Sequence, residues 1–263
     1  MKRLLTVLAL FSALFLRGAE ILRIADATGS DGNAVTSILL KFASEREGLE
    51  ISFRRLAADI ALEKLDAGDL DLVLVNGGDL PEKYRDRAFR WAVNACIAVV
   101  SIRNPLRGLS SKDLRLILDV PKPNWELVGG PFSLVRRCGV ADRNGGQVGL
   151  EMLKLDIRAR ETLLLSSMSE AVLLAENDPT ALVWGPFMTE LPITVVALTV
   201  DGVAPTRANI RAGRYPLCVS RFAVSSAAPG GAAKAFLERL RSGEFASLVE
   251  DDGGIPELPA SGK

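Results

Sequence analysis

Strand-like and helix-like patterns alternate along nearly the whole chain, and this alternation restricts the fold more than any other feature. Residues 21–26 (ILRIAD) alternate in polarity as a strand does, and residues 34–47 then place apolar side chains at helical spacing. A strand pattern at 49–56 and a helix pattern at 59–70 follow, and the apolar run at 71–75 is typical of a strand buried on both faces. Strands that alternate with helices predict an α/β fold with mainly parallel sheets.

The same alternation continues to the C-terminal part of the chain. Further strands are predicted at 95–102, 181–185, 194–200 and 218–225, and further helices at 110–118 and 231–249. Either Ser110 or Ser111 can cap the helix at 110–118, because a serine hydroxyl accepts hydrogen bonds from the unpaired amides of a first turn. With 263 residues, the chain is long enough for one large domain or two smaller ones.

Composition excludes several classes of function. Lysine and arginine together number 32, as do aspartate and glutamate, so no net charge indicates a nucleic-acid partner. The chain has no histidine, which excludes histidine-based catalytic triads and histidine metal sites. The acidic and serine pairs show no recognisable catalytic spacing. We therefore expect a protein that is not an enzyme and that carries neither a metal nor a cofactor.

The three cysteines, Cys96, Cys138 and Cys218, lie far apart in the sequence. An odd number cannot pair completely within one chain, and no C-x-x-C spacing suggests metal binding or redox chemistry. Free cysteine is commonly buried as a small hydrophobic side chain. The sequence therefore predicts buried thiols with at most one disulfide.

The N-terminus has the pattern of an export signal. Lys2 and Arg3 precede a mostly apolar run over residues 4–16, which has the length of a signal-peptide core and is short for a membrane span. We expect a signal peptide over residues 1–19, cleavage near residues 18–19, and an exported, periplasmic protein. An uncleaved N-terminal anchor is the alternative.

Three loops that follow predicted strands combine glycine with small polar residues. They are residues 28–31 (TGSD), 76–78 (NGG) and 144–147 (NGGQ). Ligands of α/β proteins collect at the carboxyl ends of strands, and the free amides of a helix start attract anions. Each loop alone is better explained as a turn than as a ligand site. Together, the three loops suggest an anion site.

Several segments resemble the phosphate-binding proteins of phosphate ABC transporters. The most specific is 198–220 (LTVDGVAPTRANIRAGRYPLCVS), which resembles a family segment that leads into a strand. The segments 97–118, 124–130 (NWELVGG), 181–185 (ALVWG) and 235–256 follow in the family's order. The resemblance covers nearly all of the chain from residue 21 to residue 259.

This resemblance implies a type II periplasmic binding protein fold. Two lobes of mixed, mainly parallel sheet flanked by helices would enclose a ligand cleft and be joined by strands that cross between them. The first lobe is expected at residues 20–92 plus 222–263, and the second at 93–221. The implied function is capture of phosphate or a similar small oxyanion for ABC-type uptake, by a monomer that delivers it to a transporter permease.

Alignment with the family also identifies candidate ligand residues. Gly29 and Ser30 match its first ligand loop, whereas Asp31 stands in place of a hydroxyl and would repel an anion. The family's arginine falls on Val140 or is displaced to Arg143. The predicted ligand residues are Gly29, Ser30, Asn76, Gly77, Arg143, Asn144, Gly145 and Gly146.

The changes in these loops leave a second hypothesis open. Asn76 and Gly77 replace a serine and a charged residue of the family, and Asn144 and Gly146 replace hydroxyl residues. Backbone donors could remain while most side-chain ligands are lost. The alternative is a degenerate binding-protein fold that no longer binds the ligand and acts as an accessory or interaction module of the cell envelope.

Overall fold

The computed structural model describes residues 20–29, 33–140, 153 and 162–258. The predicted signal peptide (1–19) lies outside these residues, as does the predicted ligand loop at 143–147. Across the described part of the chain, no helix is both long enough and apolar enough to cross a membrane.

Helices and strands alternate as the sequence predicts. The strands are β1 (Glu20–Asp26), β2 (Leu49–Arg55), β3 (Leu72–Asn76), β4 (Ala88–Ser101), β5 (Gly108–Leu109), β6 (Arg136–Val140), β7 (Leu163–Leu165), β8 (Ala181–Pro186), β9 (Val195–Ala197), β10 (Thr199–Val200), β11 (Cys218–Ser225) and β12 (Gly254–Pro256). The α-helices are α1 (Asn33–Ser44), α2 (Ala58–Asp66), α3 (Ser111–Asp119), α4 (Met168–Asn177), α5 (Arg207–Arg211), α6 (Gly231–Arg241) and α7 (Ala246–Asp251). Short 3-10 turns cover Gly77–Asp79, Glu82–Arg87 and Trp125–Val128.

One continuous mixed sheet forms the centre of the fold. Its strand order is β2-β1-β3-β11-β4-β8-β6-β7, and β9 and β12 also pair with β4. β1 is parallel to β2 and β3, and β6 is parallel to β7 and β8, whereas β4 and β11 run antiparallel to their partners. The predicted α/β class is therefore confirmed, with a sheet that is mixed because β4 and β11 are antiparallel to each other and to their other neighbours.

Strand β4 connects the two sides of this sheet. Its first part, residues 88–95, pairs with β11, and residues 96–99 pair with β8. The sequence pattern predicts a strand only over 95–102, because residues 88–94 include charged and polar side chains. Pairing on both edges extends this strand to 14 residues.

The hydrophobic core is likewise divided between the two sides of the sheet that β4 connects. Two clusters lie on opposite faces of β1, β3 and β11 and include side chains of α1, α2, α6 and α7. A third, larger cluster joins β4, β6 and β8 to α3, α4 and α5. We call β1–β3 with α1, α2, α6 and α7 the terminal half, and β5–β10 with α3–α5 the central half; β4 and β11 run through both.

Four other predicted elements also differ from the structure; one of them, the helix expected at 59–70, is α2 and ends at Asp66. The helix expected at 231–249 is two helices, α6 and α7, because the chain between them turns through Gly243 at φ +79°. The strand expected at 194–200 is divided into β9, which pairs with β4, and β10, which pairs with β5. The helix expected at 34–47 ends at Ser44.

The serine cap and the cysteines follow the sequence predictions. The Ser110 hydroxyl accepts a hydrogen bond from the Asp113 amide at 3.0 Å and caps α3. None of the three cysteines, all of which lie in the described part of the chain, forms a disulfide; Cys96 and Cys138 are buried and Cys218 is half-buried. Burial raises the pKa of the Cys138 thiol to about 11 and also raises the pKa of Cys218. These two thiols are therefore protonated at neutral pH, which makes them poor nucleophiles.

Candidate functional site

The site begins where β1 and β3 end side by side. These parallel strands are in register at Asp26 and Leu74, and the Ala27 amide donates to the Leu74 carbonyl at 2.8 Å. The carboxyl ends of β1 and β3 therefore lie side by side at the same edge of the sheet. Helix α1 begins close by in the sequence, at Asn33. This arrangement brings the first two of the three predicted loops together.

A local hydrogen-bond pattern shapes the first loop. Asp26 is 4% exposed, and its Oδ1 accepts from the Thr28 amide at 3.0 Å and from the Thr28 hydroxyl at 2.7 Å. A buried carboxylate needs such donors because it has lost its water. The chain then continues into Gly29, whose φ of +68° is favourable for glycine. The short sequence from Asp26 to Gly29 is thus sufficient to define this turn.

Asn76 ties the second loop to the first. Its side-chain Nδ2 donates to the Thr28 carbonyl at 3.0 Å. The sequence predicts that Asn76 contacts the ligand. In the structure, one donor of its side chain is already used in the bond to the Thr28 carbonyl. Its amide oxygen is an acceptor and does not favour an anion.

Gly77 lies against strand β11. A Cβ atom on this residue would stand 3.2 Å from the Phe222 ring and 3.4 Å from the Ser220 carbonyl oxygen. A larger side chain would have to displace this packing.

Of the eight predicted ligand residues, the structure brings together Gly29, Asn76 and Gly77. Ser30, Arg143, Asn144, Gly145 and Gly146 lie outside the described residues, and their part in the site stays a prediction. Gly29 is exposed, and Asn76 and Gly77 are half-buried, so the described part of the site is reached by solvent.

Neighbouring arginines in β6 have different partners. Arg137 is buried, and its Nη1 donates to the carbonyls of Leu118 and Val120 at 2.9 Å each. Arg136 is exposed and pairs with Asp178 at 3.4 Å. Adjacent residues of a strand face opposite sides, which accounts for this division. Arg137 therefore binds the C-terminal end of α3.

Sequence reasoning missed one buried charge beside the site. Arg221 in β11 is 2% exposed and lies opposite Asn76 of β3 and Ala92 of β4 in the sheet register. The available signal was a lone charged residue inside an otherwise weakly polar strand, CVSRFAVS. Arginine is rarely buried unless its charge has a partner or a use.

The described part of the site offers neutral hydrogen-bonding groups and backbone amides. Within the described ranges, no group of three cysteine or acidic side chains is arranged to hold a metal ion.

Comparison with known proteins identifies relatives of this chain. No family model matches it. It is 24% identical over 224 residues to the phosphate-binding protein PstS of Bacillus subtilis, covering 82% of this chain and 74% of that protein.

Two solved structures show the same fold. An ABC-type phosphate transport receptor from Vibrio cholerae superposes with a TM-score of 0.71 at 17% identity, covering 90% of this chain and 99% of that chain. A possible phosphate binding protein from Planctomyces limnophilus gives a TM-score of 0.74 at 17% identity, covering 92% and 94%. The type II periplasmic binding protein fold is thereby confirmed. The resemblance to the phosphate-binding proteins is confirmed by the 24% identity with PstS.

Proposed function

We propose that this protein binds a small oxyanion, with phosphate as the first candidate, and delivers it for uptake by an ABC transporter. The observation that carries the proposal is the junction of β1 and β3, where the Asn76 side chain fastens two glycine-containing loops at the carboxyl edge of the sheet. That edge is where α/β folds bind ligands. The relatives' names, a phosphate-binding protein and a phosphate transport receptor, indicate the class of ligand.

The ligand would lie between two lobes, residues 20–92 plus 222–263 and residues 93–221. The division of the core supports this: the terminal-half clusters include Ala92 and Ala223, whereas the central-half cluster begins at Val93 and includes Leu217. The loop at 143–147 would supply the second lobe's contacts, with Arg143 as the cation and Asn144, Gly145 and Gly146 as donors. Ser30 and the amide of Gly29 would complete the first lobe's contribution.

This function fits an exported protein. The signal-like pattern at 1–19 would direct the chain to the periplasm, where the mature monomer would collect the anion and meet a permease. A ligand that bridges both lobes would favour the closed form through its higher affinity for that form.

A second candidate function has support from Asn76. Its Nδ2 is already bonded to the Thr28 carbonyl, and Gly77 offers no side chain. If the loop at 143–147 also lacks side-chain ligands, the fold would serve as an envelope interaction module without a bound anion. The two candidates differ in whether an oxyanion stabilises the protein.

The test combines thermal denaturation, calorimetry and small-angle scattering with millimolar phosphate or sulfate, at acidic and neutral pH. A ligand at about 100 times its dissociation constant adds about 2.7 kcal/mol to the free energy of unfolding, which is readily detected. We expect a higher midpoint and a more compact particle. Because Asp31 opposes a fully ionised anion, phosphate should bind more tightly at the acidic pH.

A matched pair of variants tests whether the oxyanion binds at the junction of β1 and β3. Asn76→Ala loses the bond to the Thr28 carbonyl and should weaken oxyanion binding. Asn177→Ala loses a similar bond, from its Nδ2 to the Leu173 carbonyl at 2.8 Å, far from the candidate site, and should leave affinity unchanged. If no oxyanion raises the midpoint or compacts the particle at either pH, the uptake function is wrong and the interaction module is the better account.

A further inference from the structure

We infer that Arg221 supplies a fixed positive charge beside the oxyanion site. It lies on β11, one of the two strands that run through both halves. This inference rests on the proposed function and adds a residue to the site that neither the sequence motifs nor the family alignment indicated. It is carried by the position of Arg221 in the sheet, by its burial, and by the contrast with the other buried arginine.

The sheet register places Arg221 next to the site. Arg221 of β11 lies directly opposite Asn76, the last residue of β3, and on its other side opposite Ala92 of β4. Residues that oppose one another in a sheet project from the same face. Arg221 and Asn76 are therefore neighbours on one face, at the edge where the two candidate loops leave the sheet.

That face is the one covered by helix α1. Leu74, Ala92 and Ala223 project from it into a cluster that includes Val35 and Ile38 of α1. Because α1 begins at Asn33, its N-terminal turn lies toward the same edge as Asn76. Arg221, the Asn76 amide and the first turn of a 12-residue helix thus belong to one side of the sheet.

Because Arg221 is buried, its positive charge can act on an anion at the neighbouring site. Arg221 is 2% exposed, so salt screens its field far less than it screens a surface arginine. Asp26 lies on the same face, on β1, with β3 between it and β11, and its carboxylate would repel an anion. A cation on the far side of β3 offsets this repulsion at the point where Asn76 and Gly77 meet the ligand.

Arg137 shows what a purely structural buried arginine looks like in this chain. It is 4% exposed, and it donates to the Leu118 and Val120 carbonyls at the end of α3. It belongs to the central half, and a third bond, from its Nη2 to the Pro121 carbonyl, lies at the same end of α3. The two arginines are thus matched in burial and differ in location.

The experiment is calorimetric titration with inorganic phosphate and with sulfate of four full-length proteins: the wild type, Arg221→Gln, Arg221→Lys and Arg137→Gln. Urea unfolding of each variant verifies that it is folded at the titration temperature. We expect Arg221→Gln to bind at least tenfold more weakly than the wild type. Arg221→Lys keeps the charge and should recover a large part of that loss, and Arg137→Gln should be less stable yet bind normally.

Each outcome separates the inference from the proposed function. If the wild type binds neither anion, the proposed function itself fails, and the role of Arg221 fails with it. If the wild type binds and folded Arg221→Gln binds equally well, only the inference is overturned. If Arg221→Lys and Arg221→Gln lose the same affinity, or Arg137→Gln loses as much, the charge of Arg221 has no specific role at the site.

Discussion

Helices of the two halves begin in different ways. In the central half, side-chain oxygens cap the three helices whose starts are described: Ser110 accepts from Asp113, Ser167 from Glu170 and Thr206 from Asn209. In the terminal half, α2, α6 and α7 follow Ala57, Gly230 and Phe245, and none of these three described helix starts has a side-chain cap.

The difference shows two ways of fixing a helix. A capping hydroxyl pairs an amide that would otherwise lack a partner, so the sequence alone specifies where the helix starts. Uncapped helices depend more on packing. Helix α6 buries five side chains against the sheet, and the Phe236 ring meets the Phe42 ring edge-on at 5.2 Å. The terminal half should therefore depend more on its core and the central half more on its caps.

The largest expected effect is on core packing. Phe236→Ala in the terminal half should lower the free energy of unfolding by about 3–5 kcal/mol, and Leu114→Ala in the central half by about 2–5 kcal/mol. Since β4 and β11 run through both halves, each change should shift the whole unfolding transition. Urea unfolding followed by circular dichroism and by tryptophan fluorescence measures this. Two separate transitions, with only one moved by each variant, would show that the halves are independent.

The caps should have a smaller effect, of opposite sign in the two halves. Ser110→Ala removes the bond to the Asp113 amide and should cost about 1 kcal/mol. Ala57→Ser places a hydroxyl at the uncapped start of α2, where the backbone is extended at φ −65° and ψ 150°, and should increase stability by about 0.5 kcal/mol or more. Thermal and urea unfolding measure both. If neither Ser110→Ala nor Ala57→Ser changes the free energy of unfolding, a capping hydroxyl does not stabilise the helices of either half.

The smallest effect concerns Asp66, the last residue of α2, whose carboxylate accepts hydrogen bonds from the segment that follows β3. The Asp66 carboxylate accepts from the Tyr84 hydroxyl at 2.7 Å and from Lys83 at 2.9 Å, and these bonds lower its pKa to about 2. Because the folded pKa lies below the unfolded value, the unfolded chain binds more protons in this range. The stabilisation is present above about pH 4 and is lost as the pH falls toward 2.

Asp66 is 39% exposed, so solvent screening limits this contribution to about 0.5–1 kcal/mol. Asp66→Asn should remove that part of the pH dependence, as seen by urea unfolding between about pH 2 and pH 5. The control is Glu63→Gln, an exposed acid on the same helix, which should keep the slope of the wild type. An unchanged slope in Asp66→Asn would contradict the prediction.

Much of the fold could be predicted from local patterns. The buried run at 71–75 is β3, the alternating segment at 21–26 is β1, and Ser110 caps the helix that was expected after it. These predictions succeed because periodicity and capping depend on residues close in sequence. The glycine-containing loops at 28–31 and 76–78 were likewise placed at the ends of strands.

The misses involve contacts between distant segments. The strand expected at 95–102 begins seven residues earlier, since β11 and β12 pair with residues whose composition does not mark a strand. Asn76 was expected to bind a ligand, and it also binds the Thr28 carbonyl, 48 positions away in the sequence. Contacts of this kind leave no local periodicity to detect.

The sequence by itself determined the alternation of strands and helices, the cap of α3 and the likeness to the phosphate-binding proteins. Only the tertiary structure decided what the two buried arginines do. Arg137 and Arg221 both lie in strands, yet one meets the carbonyl end of α3 and the other lies opposite Asn76. The reason is physical: a strand's own sequence sets which side chains share a face, whereas the neighbouring strands and helices decide what that face meets.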